Sequence, residues 1–299
     1  MPVIYTVYSL YIQTIRCNIM LPTQNHQALT KVSELTSYLL CPRLVYFSAR
    51  GYEEPKRAEG KERSVIEHIL WKELGFNLHE VYRGEDEESE ADGKTEEEAV
   101  KQEIADIVDG VAWIYKDELK DVENELFEAV KSDFLTGIAN SEWLGKLRAE
   151  TGLAELEQSY GYEREHTTVS EKLGLVGSVD KLIRVGEVEF VPCVIKTGRC
   201  PEYGVWRSDR MQLAAYAMLI EEEFGTTVQR GFVEYIRTAD VRELHIKKRD
   251  RALAFQALKH VKKIKGGAFP EKGANAPCDN CAFLDRCETK KTLLSKLFK

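Results

Sequence analysis

Apolar positions recur at helical spacing in parts of this chain and alternate or run together in others, and the changes of period divide it into segments. Residues 33–51 (SELTSYLLCPRLVYFSARG) predict a short amphipathic helix, with Ser33 as candidate N-cap, broken before Pro42 and then resumed. Cys41 lies at the break. Residues 58–74 set Val65, Ile66, Ile69, Leu70 and Leu74 on one helical stripe, with His68 at its border. A strongly helical stretch with little Pro or Gly runs from about 96 to 158. The pattern then changes: residues 168–185 and 188–198 are β-branched, strand-like segments joined around Gly186, which predicts a hairpin. A helix over 208–223 ends near Gly225, a strand covers 231–236, and a basic helix covers 247–265. This order predicts an α/β or α+β domain with a mixed sheet. No internal repeat is visible.

With 299 residues, 43% hydrophobic and 31% charged, the chain is long enough for one large or two ordinary globular domains, which excludes wholesale disorder and fibrous structure. The net charge of −8 speaks against a generally basic nucleic-acid coat. That charge is concentrated, however: residues 85–98 hold nine acids against Lys94, and the rest of the chain is neutral overall. The tract reads as a solvated loop within a helical insertion over 76–158, so basic patches elsewhere are not excluded. No stretch approaches the roughly 18–20 apolar residues of a membrane span, so no membrane association is expected. Residues 1–30 read as an extension, with Met20 a candidate initiator, and they lack the basic start and cleavage site of a signal peptide. Seven cysteines, odd in number and clustered, point to a reducing, cytoplasmic setting and to metal ligation rather than disulfides.

The strongest local signal is PCDNCAFLDRC, where Cys278, Cys281 and Cys287 have the spacing C-x2-C-x5-C. A C-x-x-C pair turns two sulfurs toward one point, and a third thiolate leaves a metal site one ligand short. Cys41, beside a proline far upstream, is the natural fourth. Tetrahedral zinc and a cubane iron-sulfur cluster both fit four thiolates. Cys17, Cys193 and Cys200 have no spaced partners and read as incidental thiols.

A second constellation carries acid, amine and amide. Asp180 in GSVDKL and Lys196 in CVIKTG lie on the two arms of the predicted hairpin. In metal-dependent nucleases an Asp is followed across a hairpin by acid-x-Lys, because residues two apart on a strand share a face. Carboxylate oxygens hold magnesium or manganese, which activates a water and neutralises transition-state charge, while the lysine positions that water. Here Val194 occupies the acid position. Gln212 and Tyr216 are four apart on the predicted helix and share a face. Each of these residues is weak evidence alone; their order is what carries weight.

Taken together, LLCPRLVYF, the His68 helix, GSVDKL, IKTG, QLAAY and the terminal C-x2-C-x5-C resemble the CRISPR-associated, RecB-like nucleases with an iron-sulfur cluster, the Cas-four family. The likeness runs from about residue 33 to 288, interrupted by the insertion. The resemblance implies an α/β, restriction-endonuclease-like fold of the PD-(D/E)xK class, a mixed sheet flanked by helices, formed by residues 31–299. It implies a four-iron, four-sulfur cluster on Cys41, Cys278, Cys281 and Cys287, with a cysteine module over 270–290 joining the two ends of the domain. By the same resemblance His68 and Asp180 bind a divalent metal (Mg2+ or Mn2+), Lys196 assists the water, and Gln212 and Tyr216 complete the site. The implied activity is an exonuclease acting on single-stranded DNA ends, with the CRISPR integrase as partner in spacer acquisition and antiviral defence.

Val194 departs from the family pattern, since an isopropyl group neither coordinates a metal nor accepts a proton. Two outcomes follow. A neighbouring acid compensates, with Glu171, Glu163, Glu165 and Glu67 as candidates; otherwise the protein is a catalytically weak, DNA-binding accessory subunit. Arg199, Arg207 and Arg210 flank the site and are candidate DNA contacts, because a strand led to the metal needs a cationic path. Lys247, Lys248, Arg249, Lys259, Lys262, Lys263 and Lys265 form a later basic cluster, equally readable as a solvated face.

Overall fold

The computed structural model describes residues 29–52, 62–83, 95–139, 142–149, 152–274, 276–281 and 283–287. The N-terminal extension, apart from its last two residues, and the acidic tract up to residue 94 lie outside the described residues, as does Cys17.

Strand β1 (Thr30–Lys31) leads directly into α1 (Val32–Leu40) and α2 (Pro42–Ser48). The N-cap of α1 is Lys31 rather than Ser33: Glu34 reaches back to accept the Lys31 amide at 2.7 Å, so the helix starts earlier than the serine suggests. Pro42 opens α2 at a position where its missing N–H costs nothing. Helix α3 (Glu62–Phe76) is followed by α4 (Leu78–Arg83) and then by α5 (Glu96–Ile114), α6 (Lys116–Leu119), α7 (Asn124–Ala139), α8 (Trp143–Ala149) and α9 (Gly152–Tyr160). The strongly helical stretch is thus five helices among the described residues, and the first opens on a Thr95–Glu98 capping box.

The chain then enters the sheet: β2 (Glu163–Ser170), β3 (Leu175–Val185), β4 (Glu189–Lys196), helix α10 (Arg207–Phe224), β5 (Arg230–Tyr235), β6 (Asp240–His245) and helix α11 (Lys248–Lys265). Strand β3 is antiparallel to both β2 and β4 and receives β1 in parallel at Leu175; β4 and β5 are parallel, with Lys196 opposite Tyr235, and β6 closes the sheet antiparallel to β5. Gly186, at φ 65°, turns the predicted hairpin. This is a mixed sheet flanked by helices, as expected.

Successive residues of β4 divide between the two faces. Phe190 and Val194 join the core built by α1, α2, α10 and α11, which includes Leu35, Phe47, Met211, Leu219 and Val261. Ile195 faces the other way, into the core of α3, α5, α7 and α8 around Leu70, Val108, Phe134 and Trp143. A smaller cluster of Leu153, Ile183, Val191, Cys193 and Phe232 lies between the sheet and α9. Helices α3, α5, α7 and α8 therefore form one of the two layers against the sheet. None of the described helices is long and apolar enough to cross a membrane.

Candidate active site

Asp180 lies in β3 with both carboxylate oxygens engaged. Oδ2 accepts the Ile195 amide at 2.7 Å, and Oδ1 accepts Lys72 Nζ at 2.5 Å. Lys72 is one turn beyond His68 on α3, so both reach toward the hairpin from the same helix face. The His68 ring shares a 2.6 Å hydrogen bond through Nδ1 with the Thr197 hydroxyl. Burial, then the nearby charges of Lys72 and Arg237, hold the His68 pKa below its ordinary value, against the opposing pull of Asp180. The imidazole is therefore neutral near pH 7 and keeps a lone pair for a metal or a proton.

At the end of β4, Lys196 Nζ donates to Gln212 Oε1 at 2.5 Å and pairs with Asp209 Oδ1 at 3.1 Å. Gln212 Nε2 donates to Tyr216 Oη at 3.5 Å, and Asp209 Oδ2 accepts the Tyr235 hydroxyl at 2.9 Å. Asp209, Gln212 and Tyr216 follow helical spacing on α10, which explains why one face of that helix supplies three polar groups to one place. Burial pushes the Tyr216 phenol up to about 12; Gln212 draws it down, and the charge of Asp180 adds to the rise. The close approach of Tyr216 to β3 requires Gly177, since a Cβ there would stand 2.8 Å from the Tyr216 ring.

The sequence-derived residues His68, Asp180, Lys196, Gln212 and Tyr216 thus converge on the adjoining strands β3 and β4. Sequence reasoning missed Lys72, Thr197 and Asp209; Lys72 and Asp209 were findable, being four residues after His68 and three before Gln212 on the predicted helices. Val194 is fully buried in the apolar core beside α10. Of the candidate replacement acids, Glu67 is held by Arg63 and Arg237, Glu163 by His166, and Glu171 sits in the turn after β2 rather than on a strand. Glu165 lies between Arg164, opposite Lys181, and His166, opposite Val179, which puts it alongside Asp180. Its backbone adopts φ 52°, a left-handed conformation costly for a non-glycine residue.

Arg237 joins this centre to a larger cleft. Its Nε donates to the Thr197 carbonyl at 2.6 Å, and it borders both the hollow over His68 and a cleft of about 460 Å³ walled by Trp71, Phe134 and Trp143. Arg199 and Arg207 are exposed, whereas Arg210 is tied to Asp250 at 3.2 Å. Part of the basic helix serves the fold instead of solvent: Lys262 donates to the Leu173 carbonyl and Lys265 to Leu29 and Glu34.

The cysteine reading concerns the opposite ends of the domain. Cys41, Cys278, Cys281 and Cys287 all border one cavity of about 140 Å³, together with Arg43, Phe47 and Phe283. Arg43 spans the ends, donating from Nη1 to Cys287 Sγ at 3.0 Å and from Nε to the Pro270 carbonyl at 3.2 Å. The Lys272 ammonium is favoured by Cys278 first and then by Cys287 and Cys41. Cys193 and Cys200 lie apart from this cavity; the buried Cys193 thiol donates to Glu234 and that of Cys200 to the Pro201 carbonyl. Among the described residues, no group of three His, Cys, Asp or Glu side chains is gathered so as to hold one metal ion.

Known proteins match this chain in sequence. The family described as the PD-(D/E)XK nuclease superfamily matches residues 32–288. The CRISPR-associated exonuclease Cas4/endonuclease Cas1 fusion of Leptospira interrogans serogroup Icterohaemorrhagiae serovar Lai is 31% identical over 147 residues, covering 46% of this chain and 26% of that protein. An uncharacterized protein of Archaeoglobus fulgidus is 27% identical over 135 residues, covering 45% of this chain and 60% of its own. The matches thus span about a quarter of the first relative and under two thirds of the second. Among solved structures, a putative exonuclease from Eubacterium rectale superimposes with a TM-score of 0.48 at 11% identity, over 90% of this chain and 94% of that one.

Proposed function

Because this chain belongs to the PD-(D/E)XK nuclease superfamily, we propose that it is a divalent-metal-dependent deoxyribonuclease of the Cas-four type. It degrades single-stranded DNA from its ends and serves CRISPR spacer acquisition, in the cytoplasm, beside the integrase. The observation that carries the reading is the chain of hydrogen bonds Lys196–Gln212–Tyr216 beside Asp180, with His68 and Lys72 arriving from α3. Residues 31–299 are read as one nuclease domain, with 76–158 an insertion and 270–290 the cysteine module.

The donor chemistry suits a hard divalent ion held by few protein groups. Asp180 offers a carboxylate and His68 a neutral imidazole, and a bound cation would take the place of the Lys72 ammonium against Asp180 Oδ1. His68 and Asp180 would hold Mg2+ or Mn2+, which when bound supplies Lewis acidity and a more acidic water. Lys196, fixed by Gln212 and Asp209, offers a donor and a positive charge to a phosphate oxygen. Tyr216 keeps its proton at neutral pH and so orients Gln212 rather than acting as a base. Val194 brings no acceptor, and Glu165, between the β2 residues paired with Lys181 and Val179, is the candidate acid nearest Asp180 in strand register.

At the cysteine cavity, four thiols with Arg43 and Lys272 near them form a donor set for a soft, anionic group. A four-iron, four-sulfur cluster is the reading we adopt, with zinc as the alternative, and its role is to tie α1–α2 to the C-terminal segment. A second function, that of a DNA-binding accessory subunit, draws on the burial of Val194 at the acid position.

The test uses protein purified without oxygen, assayed for iron and sulfide and, on the same sample, for Mn2+-dependent loss of internally labelled DNA, linear or circular. The expected result is about four irons and four sulfides per chain, with linear single strands degraded and single-stranded circles spared. Equal attack on circles would overturn the exonuclease reading, and iron without cleavage would favour the accessory subunit.

A further inference from the structure

The segment from Arg199 to Arg207 joins β4 to α10, so both of its ends carry residues of the candidate centre, Lys196 before it and Asp209 and Gln212 after it. It is not a loose connection. Trp206 Nε1 donates to the Arg199 carbonyl at 2.9 Å, and the Trp206 amide donates to Tyr235 Oη at 3.3 Å. Arg242 donates to the Gly204 carbonyl and, at 3.2 Å, to Cys200 Sγ. Gly204 supplies the left-handed turn at φ 65°.

A loop pinned at four points nevertheless leaves two large rings in water: Tyr203 is 83% exposed and Trp206 48%. Around them, Arg199 and Arg207 are exposed, and their guanidinium groups make no hydrogen bond or ion pair among the described residues. Glu202 is the one acid within the loop. Arg207 is moreover the first residue of α10, where the helix dipole disfavours a cation. Neither the Tyr203 ring nor the Arg207 guanidinium makes a hydrogen bond, ring contact or ion pair among the described residues, whereas the half-exposed Trp206 ring is fixed through its Nε1. Exposed rings on a pinned loop beside guanidinium groups without an ion pair match what a single strand presents: bases with two apolar faces, and phosphates between them.

We infer that Tyr203 and Trp206 are a stacking platform for bases of a single strand, and that Arg199 and Arg207 grip its phosphates as it crosses to the Asp180–Lys196 centre. This inference rests on the nuclease reading above. Stacking tolerates any base, so the platform confers a preference for unpaired DNA without a preference for sequence.

Binding of fluorescent oligothymidylate to the full chain in EDTA tests the platform without requiring cleavage. Tyr203→Ala should weaken binding about tenfold, with Tyr203→Phe restoring it, as expected for removal and return of one stacked base. Arg199→Gln with Arg207→Gln should flatten the salt dependence, by about 0.7 in logarithmic slope for each phosphate that is no longer neutralised. Because Tyr203 is almost wholly in solvent, its variants leave the fold unchanged, and circular dichroism checks this. Binding of Tyr203→Ala within twofold of the wild type would overturn the platform. Loss of self-association with DNA binding intact would overturn it in favour of a protein interface. Wild-type cleavage in Mn2+ with unaltered Tyr203→Ala binding leaves the nuclease reading standing alone. Tyr203-dependent binding without any cleavage does the reverse.

Discussion

Lys72 and Asp180 form the half-buried ion pair on which the site's electrostatics turn, at 2.5 Å with about a fifth of each side chain exposed. Sequence order made Asp180 and Lys196 legible, because strand periodicity fixes which residues of a hairpin share a face. Helical spacing places Lys72 beside His68 and Asp209 beside Gln212, but their partners Asp180 and Lys196 were not legible, because pairings across 108 residues or between a strand and a later helix leave no local pattern. Two predictions belong at this scale. The His68 ring, followed by NMR, should titrate below the ordinary 6.5, since burial and the charges of Lys72 and Arg237 oppose its protonation. With a depressed folded value, the unfolded chain binds the extra proton, so stability falls as pH drops through 6.5; a midpoint at or above 6.5 would contradict the geometry. Val194→Glu should lower the Mn2+ concentration needed for half-maximal cleavage while costing about 1–3 kcal/mol of stability for a carboxylate put into an apolar core. Unchanged metal dependence in that variant would mean that a carboxylate at this position does not reach the ion.

Between elements, buried polar clusters fasten α3 and α9 to the sheet. Glu73 of α3, 2% exposed, accepts both Arg164 nitrogens of β2 at 2.9 and 2.6 Å and the Tyr115 hydroxyl at 2.8 Å. Arg164→Ala should therefore cost about 3–5 kcal/mol in a denaturant titration, because it strands a buried carboxylate; a loss under about 1 kcal/mol would show that the cluster carries little. On β3, the fully buried Lys181 ammonium is shared by Glu157 at 2.7 Å and Glu234 at 3.0 Å. Burial pushes Glu157 up to about 7, Lys181 opposing and Glu234 adding to the rise. The folded state then holds a proton that the unfolded chain releases near 4.5, so this group's contribution diminishes as pH rises from 4.5 toward 7. Glu157→Gln should flatten melting temperature against pH over that range, and an unaltered slope would contradict the assignment. The hairpin turning at Gly186 and the helix ending at Gly225 were legible because both have glycine punctuation and clear periodicity. Strands β1 and β6 were not, being short and defined by partners distant in sequence. The helical stretch expected over 96–158 comprises several pieces, of which α5 and α7 pack apolar residues against α3 and α9 packs against β3.

Across the described residues, the sheet separates a core made with α1, α2, α10 and α11 from one made with α3, α5, α7 and α8, and β4 contributes to both. Its end, with Lys196 and Thr197, is where α3, α10 and the Arg237 turn meet, so the candidate centre lies where the layers join. The cysteine cavity lies where the two ends of the described domain meet, and Arg43 and the Phe47–Phe283 stack at 5.3 Å link those ends through protein groups alone. Cys41 and the C-terminal trio line one cavity, a neighbourhood that cysteine spacing suggested; the Arg43 link between the two ends was not legible, since nothing in the local pattern around Arg43 names its partner. The most direct measurement of the central claim is the Mn2+-dependent rate of single-stranded DNA degradation by the wild type and by Asp180→Asn, side by side in one anaerobic preparation. The account predicts a loss of at least about a hundredfold in the variant, the scale of removing one essential charge-stabilising group, with DNA binding retained. Equal rates in the two proteins would put the chemistry elsewhere and contradict it.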